Sequence, residues 1–235
     1  MTALQFAIGA LNDVVDAPAD VGRVPPKPIP SGLVSATAAR IVAALAAVVG
    51  VALAAPNGPG LILLGVIVLA IGAAYDLFAK GTAWSWLPFA LGIPILPVYG
   101  WYGAAGTTPG FFLILVPMAV LAGAGLALAN ARVDAETDAA AGVASVATAL
   151  GSERSWSTNA ALMAGATAIG VLFVGRAGWA PGTVALIAVG TAVVAFGLSV
   201  GRGSTASARR RGWEAQAIGA AIAAVGWISG MLPGA

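Results

Sequence analysis

Residues Asn12–Gly32 read NDVVDAPADVGRVPPKPIPSG and contain a regularly spaced set of acids. Asp13, Asp16 and Asp20 are separated by three and then by four residues. Because residues three or four apart share a face of a helix, this segment can direct two or three carboxylates toward one point. Only 9% of the chain is charged, so the concentration of charge in this segment predicts a functional site.

A second acidic segment lies far downstream. Residues Asn130–Gly151 read NARVDAETDAAAGVASVATALG. Asp134 and Asp138 are four apart and share a helix face, whereas Glu136 points elsewhere and is expected to be auxiliary. Two such clusters facing each other would bind hard divalent cations that bridge to a phosphate ligand.

The composition places the chain in a membrane. It has 235 residues, of which 60% are hydrophobic, and a mean hydropathy of +0.95, against about 45–50% apolar residues in soluble domains. The chain has no Cys and no His, which excludes Cys/His zinc sites, thiol nucleophiles and histidine bases. A bound metal must therefore have oxygen ligands, which favours Mg²⁺, Mn²⁺ or Ca²⁺. The net charge of +2 is too small to suggest a nucleic-acid partner.

The apolar segments predict an all-α, polytopic transmembrane bundle. A span takes about 20 residues, and the full candidates are 36–55, 59–78, 84–103, 109–131, 156–175, 180–200 and 213–232. Residues 2–12 are long enough for only half a span. Every Lys and Arg except Arg176, and every acid, lies in alternate connections. The positive-inside rule therefore puts the acidic motifs on the cytoplasmic side of the cell membrane.

Several residues near the ends of these spans have two interpretations each. Lys80 is either a snorkelling anchor or holds the negative charge of an anion beside the metals, as Arg23, Lys27 and Arg132 would also do. Trp84 and Trp86 belong to an interfacial belt or line an apolar substrate channel. Arg209–Arg211 are expected to be a topology anchor or a contact with anionic lipid.

Acids, cations and basic groups together suit a diphosphate. Mg²⁺ bound to the diphosphate neutralises the charge that develops on this leaving group. If the diphosphate carries an allylic chain, its departure generates a carbocation, and a dry, aromatic-lined pocket would protect that cation from water.

Three segments together resemble the signatures of the UbiA superfamily of intramembrane prenyltransferases, the group that includes 4-hydroxybenzoate polyprenyltransferase. The first is N-D-x-x-D-x-x-x-D followed by K-P-I-P-S-G, and the second is N-x-x-x-D-x-E-x-D-x-x-x-G. Between them, Tyr75–Lys80 (YDLFAK) is similar to the family's tyrosine-to-lysine segment. The order of all three agrees, and the resemblance covers essentially the whole chain.

The resemblance implies a helical bundle around a central cavity and Mg²⁺-dependent transfer of a prenyl group from a prenyl diphosphate. The metal ligands would be Asp13, Asp16, Asp20, Asp134 and Asp138. The groups that bind the diphosphate would be Asn12, Arg23, Lys27, Lys80, Asn130 and Arg132. Tyr75 would lie near the reacting carbon and act with the catalytic Asp13, Asp16, Asp134 and Asp138. Many members have Ser where this chain has Asp76, and a role for this Asp is left open.

The acceptor and the N-terminus are the open points. The default acceptor is an aromatic compound, such as a hydroxybenzoate or quinone precursor, and lipid precursors are the alternative. The family's first span and half of its second are not found, so residues 1–235 are interpreted as a single, N-terminally incomplete prenyltransferase domain. A misassigned start codon or a shortened, inactive paralogue would explain this, and an ion-coupled transporter is the alternative outside the family.

Overall fold

A computed structural model describes residues 1–177 and 179–231, and this part of the chain is helical without strands. The long helices are α1 (Thr2–Asp16), α2 (Ala36–Ala54), α3 (Pro59–Ala74), α4 (Leu87–Ala105), α5 (Phe112–Ala131), α8 (Ser152–Leu172), α10 (Pro181–Gly201) and α11 (Ala206–Gly230). The short helices are α6 (Ala135–Ala140), α7 (Val146–Leu150) and α9 (Val174–Ala177). A 3-10 turn, Ala55–Asn57, follows α2, and a π-helical turn, Tyr75–Ala79, follows α3.

The chain divides into two compact units. The first unit comprises Met1–Lys80 and Ile95–Thr108, and the second comprises Gly81–Pro94 and Pro109–Ala235. The first acidic motif and the tyrosine-to-lysine segment belong to the first unit, and the second acidic motif belongs to the second.

The first unit is packed around α1. Leu4 is completely buried and lies in a core with Ala54, Leu61, Val68 and Tyr99. This packing explains why the N-terminal segment, predicted as a helix over residues 2–12, is helical as far as Asp16. The acidic motif therefore begins on the last turns of α1 and is held in place by the core below it.

The second unit contains an antiparallel pair, α10 and α11, whose backbones approach closely. A Cβ atom at Gly197 would lie 2.7 Å from the Gln216 nitrogen, and one at Gly219 would lie 2.7 Å from the Gly190 oxygen. Glycines recur seven residues apart on both helices, at positions 190 and 197 and at positions 212, 219 and 226. Small residues on one face allow helices to pack this closely in lipid.

A buried polar contact connects three helices of the second unit. Asn159 on α8 is fully buried, and its Nδ2 donates to the Gly125 oxygen of α5 at 2.8 Å and to Gln216 Oε1 of α11 at 3.0 Å. Hydrogen bonds between side chains in a membrane interior fix helix positions, because lipid offers no competing partner.

Four of the described helical segments are long and apolar enough to cross a membrane: Ala36–Asn57, Pro59–Ala79, Phe112–Ala131 and Pro181–Gly201. Helices also occupy the other three predicted spans, as α4, α8 and α11. These three contain prolines, polar or charged residues that lower their mean hydropathy. The all-α architecture is confirmed, and the number of spans stays a prediction.

Candidate functional site

Each aspartate of the first motif is paired with a basic side chain. Lys27 Nζ lies 2.8 Å from Asp13 Oδ1, and Arg23 Nη1 lies 2.9 Å from Asp20 Oδ1. The third pair joins Lys80 to Asp16 across 64 positions of sequence. The hydrogen bond from Lys27 to Asp13 is the main cause that raises the pKa of this lysine.

The π-helical turn presents Tyr75 and Lys80 together. The Lys80 amide donates to the Tyr75 oxygen at 2.9 Å, five residues back, and Lys80 Nζ lies 5.9 Å from the centre of the Tyr75 ring. In an α-helix, residues five apart are separated by about 140° around the axis. The π turn closes its hydrogen bond one residue later and so brings the two side chains to one side.

Asp76 makes a second long-range contact to the first motif. Asn12 Nδ2 donates to Asp76 Oδ1 at 2.7 Å, and Asp76 is only 4% exposed. Together with the pair between Lys80 and Asp16, this contact brings the tyrosine-to-lysine segment onto the acidic end of α1. The sequence signal for Asp76 is a charge at the end of an apolar span, which marks functional candidates, but its partner could not be read from spacing.

The loop that follows α1 forms an open pocket of about 280 Å³. Its lining includes Asp20, Arg23, Lys27 and Ser31. Two basic residues and an acid at one cavity are suited to a phosphate group accompanied by a cation. The predicted substrate-binding residues Arg23 and Lys27 therefore lie together, beside the predicted metal ligand Asp20.

The second motif lies in the second unit. Asn130 lies in the last turn of α5, and Asp134 precedes α6. Asp138 lies on the first turn of α6, where its amide donates to the Asp134 oxygen at 2.8 Å. Asp134 is exposed and Asp138 is half-buried. The two carboxylates are therefore positioned by one short helical turn.

Two arginines near this motif make structural contacts. Arg132 is buried, and its Nη1 donates to the Gly201 oxygen at 2.9 Å. Arg209 is also buried, pairs with Glu136, and donates to the Ser204 oxygen at 2.7 Å. We expected Arg209 to be a topology anchor or a lipid contact, and its burial differs from that expectation. Nothing in the sequence distinguishes it from its exposed neighbour Arg210.

The predicted aromatic residues Trp84 and Trp86 line a cavity of about 460 Å³ in the second unit. The remaining lining is almost entirely apolar and includes Leu128, Val146 and Leu162. A cavity with such an apolar lining suits a hydrocarbon chain.

The donor set suits an oxygen-coordinated cation. Within residues 1–177 and 179–231 no three acidic side chains converge tightly enough to form a complete metal site. The three aspartates of the first motif are instead paired with basic residues. One buried carboxylate oxygen, Asp76 Oδ2, has no hydrogen-bond partner among the described residues. Carboxylate and amide oxygens are the ligands that Mg²⁺ prefers, usually shared with substrate phosphates, so the residues fit this ion.

Comparisons with known proteins agree with this description. The sequence profile of the UbiA prenyltransferase family matches residues 1–229. A solved structure of a UbiA homologue from Aeropyrum pernix K1 has a TM-score of 0.75 and 23% identity, covering 98% of this chain and 86% of that one. A structure of digeranylgeranylglyceryl phosphate synthase has a TM-score of 0.74 and 16% identity, covering 98% of this chain and 85% of that one. A search of curated proteins found no match.

Proposed function

Since the chain belongs to the UbiA prenyltransferase family, we propose that it transfers a prenyl group from a prenyl diphosphate to an aromatic or lipid-precursor acceptor in the membrane. The reaction depends on Mg²⁺, and the acidic motifs face the cytoplasm. The default acceptor is a hydroxybenzoate or quinone precursor.

One observation carries this proposal. The pair between Lys80 and Asp16 joins two motifs that are 64 residues apart, and Asn12 and Asp76 repeat the connection one turn away. Charged groups placed at the end of an apolar span cost solvation energy. The sequence retains several such groups at one place, as a site for a polyanion with its cations would require.

Different residues of the chain bind the diphosphate of the donor and the metal ion. Arg23, Lys27 and Lys80 bind diphosphate oxygens, and they are preorganised because each is already held by an aspartate. Asp13, Asp16 and Asp20 would hold Mg²⁺ in the first unit, and Asp134 and Asp138 would be the metal ligands of the second motif. When bound, Mg²⁺ stabilises the negative charge that develops on the departing diphosphate.

The apolar part of the donor requires a dry site. The cavity beside Trp84 and Trp86 is one described space whose apolar lining suits an isoprenoid chain. Aromatic faces next to an allylic carbocation stabilise it and keep water away. Tyr75 lies beside Lys80, and it would contact the carbon next to the diphosphate.

The test is prenyl transfer in membranes that contain the full chain. Mg²⁺, geranylgeranyl diphosphate and a panel of aromatic and lipid-precursor acceptors are supplied, and Asp13→Ala, Asp16→Ala and Asp134→Ala are compared with wild type. We expect each variant to lose at least about 100-fold in transfer rate, since even indirect metal contacts are worth about 10–100-fold.

The matched control is Glu153→Ala, because Glu153 is an exposed acid outside both motifs and its loss should leave transfer unchanged. Mg²⁺-dependent binding of geranylgeranyl diphosphate to the purified protein is measured in parallel. A protein that binds no prenyl diphosphate, or motif variants that transfer at the wild-type rate, would overturn the assignment and favour a transporter.

A further inference from the structure

Asp76 has a buried carboxylate, and only one of its two oxygens has a hydrogen-bond partner among the described residues. Its side chain is 4% exposed, Oδ1 accepts the 2.7 Å hydrogen bond from Asn12, and Oδ2 has no hydrogen-bond partner among the described residues. A buried polar atom without a partner costs about 1–3 kcal/mol. Such atoms are rare in folded proteins and require an explanation, such as a bound ion.

The charged groups around Asp76 indicate which kind of group its free oxygen would bind. Four carboxylates and three basic side chains gather where the first motif meets the π-helical turn: Asp13, Asp16, Asp20, Asp76, Arg23, Lys27 and Lys80. Each basic side chain is paired with an aspartate of the motif. The hydrogen bonds of Lys80 go to Asp16. Asp76 is therefore the one carboxylate of this group that has no ion pair with these basic side chains.

The contact with Asn12 also orients a second oxygen. Because Nδ2 of the Asn12 amide faces Asp76, its carbonyl oxygen is directed elsewhere and remains an acceptor. Asn12 directly precedes Asp13 in the motif. A carboxylate oxygen and an amide oxygen beside the motif are hard ligands of the kind that divalent cations such as Mg²⁺ prefer.

We propose that Asp76 Oδ2 is a further oxygen ligand for the divalent cation that accompanies the diphosphate at the first acidic motif. Oδ1 keeps the carboxylate in position through Asn12, and Oδ2 reaches the ion. This role rests on the proposed function, and it places one metal ligand outside both acidic motifs.

The first test is Mn²⁺ binding to the purified full chain with geranylgeranyl diphosphate present, followed by electron paramagnetic resonance of the free ion. Asp76→Asn retains an oxygen that can accept from Asn12 but replaces the other oxygen with an amide nitrogen. We expect Mn²⁺ to bind about 10–100-fold more weakly to this variant. Glu153→Gln, a charge-matched change at an exposed acid, should bind like wild type.

The outcomes separate the two proposals. Wild-type affinity in Asp76→Asn, with wild type itself binding Mn²⁺, overturns the role of Asp76 and leaves the proposed function intact. The same holds if Mn²⁺ affinity is unchanged and only the KM for the acceptor rises, since Asp76 would then contact the acceptor. Absence of Mn²⁺ binding by wild type overturns both proposals.

A second variant keeps the proposal testable if Asp76→Asn does not fold. The natural chain has no Cys, so Asp76→Cys introduces the sole thiol. A thiolate ligand favours soft ions, and we expect Cd²⁺ to displace Mn²⁺ at least about tenfold more readily than from wild type. Thr107→Cys, at an exposed loop position, should show no such preference. Equal Cd²⁺ selectivity in the two cysteine variants overturns the proposal.

Discussion

The three aspartates of the first motif differ in the exposure of their side chains. The side chain of Asp13 is 42% exposed, that of Asp16 is 18% exposed and that of Asp20 is 8% exposed. Exposed pairs contribute little to stability because solvent screens them. The pair of Asp16 with Lys80 differs from the other two because it joins two segments that are 64 residues apart.

Replacing Lys80 tests this pair directly. Lys80→Met retains an apolar stem and removes the ammonium, which leaves the diphosphate with one fewer charged hydrogen bond. Such a bond is worth about 1.5–3 kcal/mol, so we expect the Kd for geranylgeranyl diphosphate to rise about 10–100-fold. Isothermal titration calorimetry in detergent, with Mg²⁺ present, measures this Kd.

Arg202→Met is the control for charge removal. Arg202 is exposed, forms a long 4.0 Å pair with Glu153 and lies 4.7 Å from the centre of the Trp156 ring. Neither contact involves the first motif, so the Kd of this variant should match that of wild type. Equal weakening in both variants would mean that Lys80 acts through the general field of the protein and makes no specific contact.

The residues of the first motif could be predicted because their spacing is local. A helix places Asp13 and Asp16 on one side without information from elsewhere. The partners of Asp16 and Asn12 could not be predicted in this way, because both lie 64 residues later and depend on how α3 packs beside α1. Resemblance to a family indicated that Lys80 matters, but not which acid it contacts.

The π-helical turn Tyr75–Ala79 lies at the C-terminal end of α3. It contains Leu77 and Phe78, which are 54% and 77% exposed, so the turn is not held by a core of its own. Its effect is to align Tyr75 with Lys80 despite a separation of five residues. Turns of this kind often occur at functional sites.

Changing the length of this segment tests the alignment. Deleting Phe78 places the tyrosine and the lysine four apart, where an ordinary α-helix also puts them on one face. We expect this variant to bind geranylgeranyl diphosphate like wild type. Inserting an alanine after Phe78 should weaken binding by at least about tenfold, as the lysine contact is lost.

Phe78→Ala, which keeps the length, is the control and should bind normally. Loss of binding in the deletion variant, with the helix content by circular dichroism unchanged, would contradict the proposed purpose of the π turn.

The contact of Glu136 with Arg209 connects the second motif to α11. Removing Glu136 would leave a buried guanidinium without its counter-ion, which is more costly than losing an exposed pair. Because Glu136 itself is 66% exposed, we expect Glu136→Gln to lower the free energy of unfolding by only about 1–2 kcal/mol. Tryptophan fluorescence during chemical unfolding in detergent measures this change.

Glu153→Gln removes a fully solvated pair and should leave the unfolding free energy unchanged. If Glu136→Gln is equally neutral in stability but weakens Mn²⁺ binding, Glu136 is a metal ligand and its contact with Arg209 is incidental.

The distribution of charge along the chain makes a prediction about orientation in the membrane. The loop at residues 103–110 has no charge, whereas residues 202–214 include four arginines. The positive-inside rule places residues 202–214 in the cytoplasm. Because the natural chain has no Cys, single cysteines report each side without background.

We expect a membrane-impermeant maleimide to label Thr107→Cys in intact bacterial cells and to label Ser207→Cys only after the cells are opened. Both positions are exposed, so a difference in labelling reports the side of the membrane. The opposite pattern would put the acidic motifs outside and contradict the assigned orientation.

The existence of helices across the whole chain could be predicted, because apolar runs of span length leave the backbone few alternatives. The same hydropathy does not determine which runs are spans. α8 begins with SERSWSTN and α11 with ASARRRGWEAQ, and these polar turns lie inside helices that continue into apolar sequence. Contacts such as that of Asn159 with Gln216 explain why polar residues are tolerated, and they depend on the assembled helices.

The glycine spacing of α10 and α11 has a consequence for how this sequence can evolve. At Gly190, Gly197 and Gly219 the nearest atoms of the opposing helix belong to its main chain, and main chain cannot rotate out of the way as a side chain can. Almost every single-nucleotide change in these codons that alters the residue is therefore harmful. Saturation mutagenesis should find as few tolerated substitutions at these glycines as at the acidic motifs. Homologous sequences would keep these glycines for steric reasons alone.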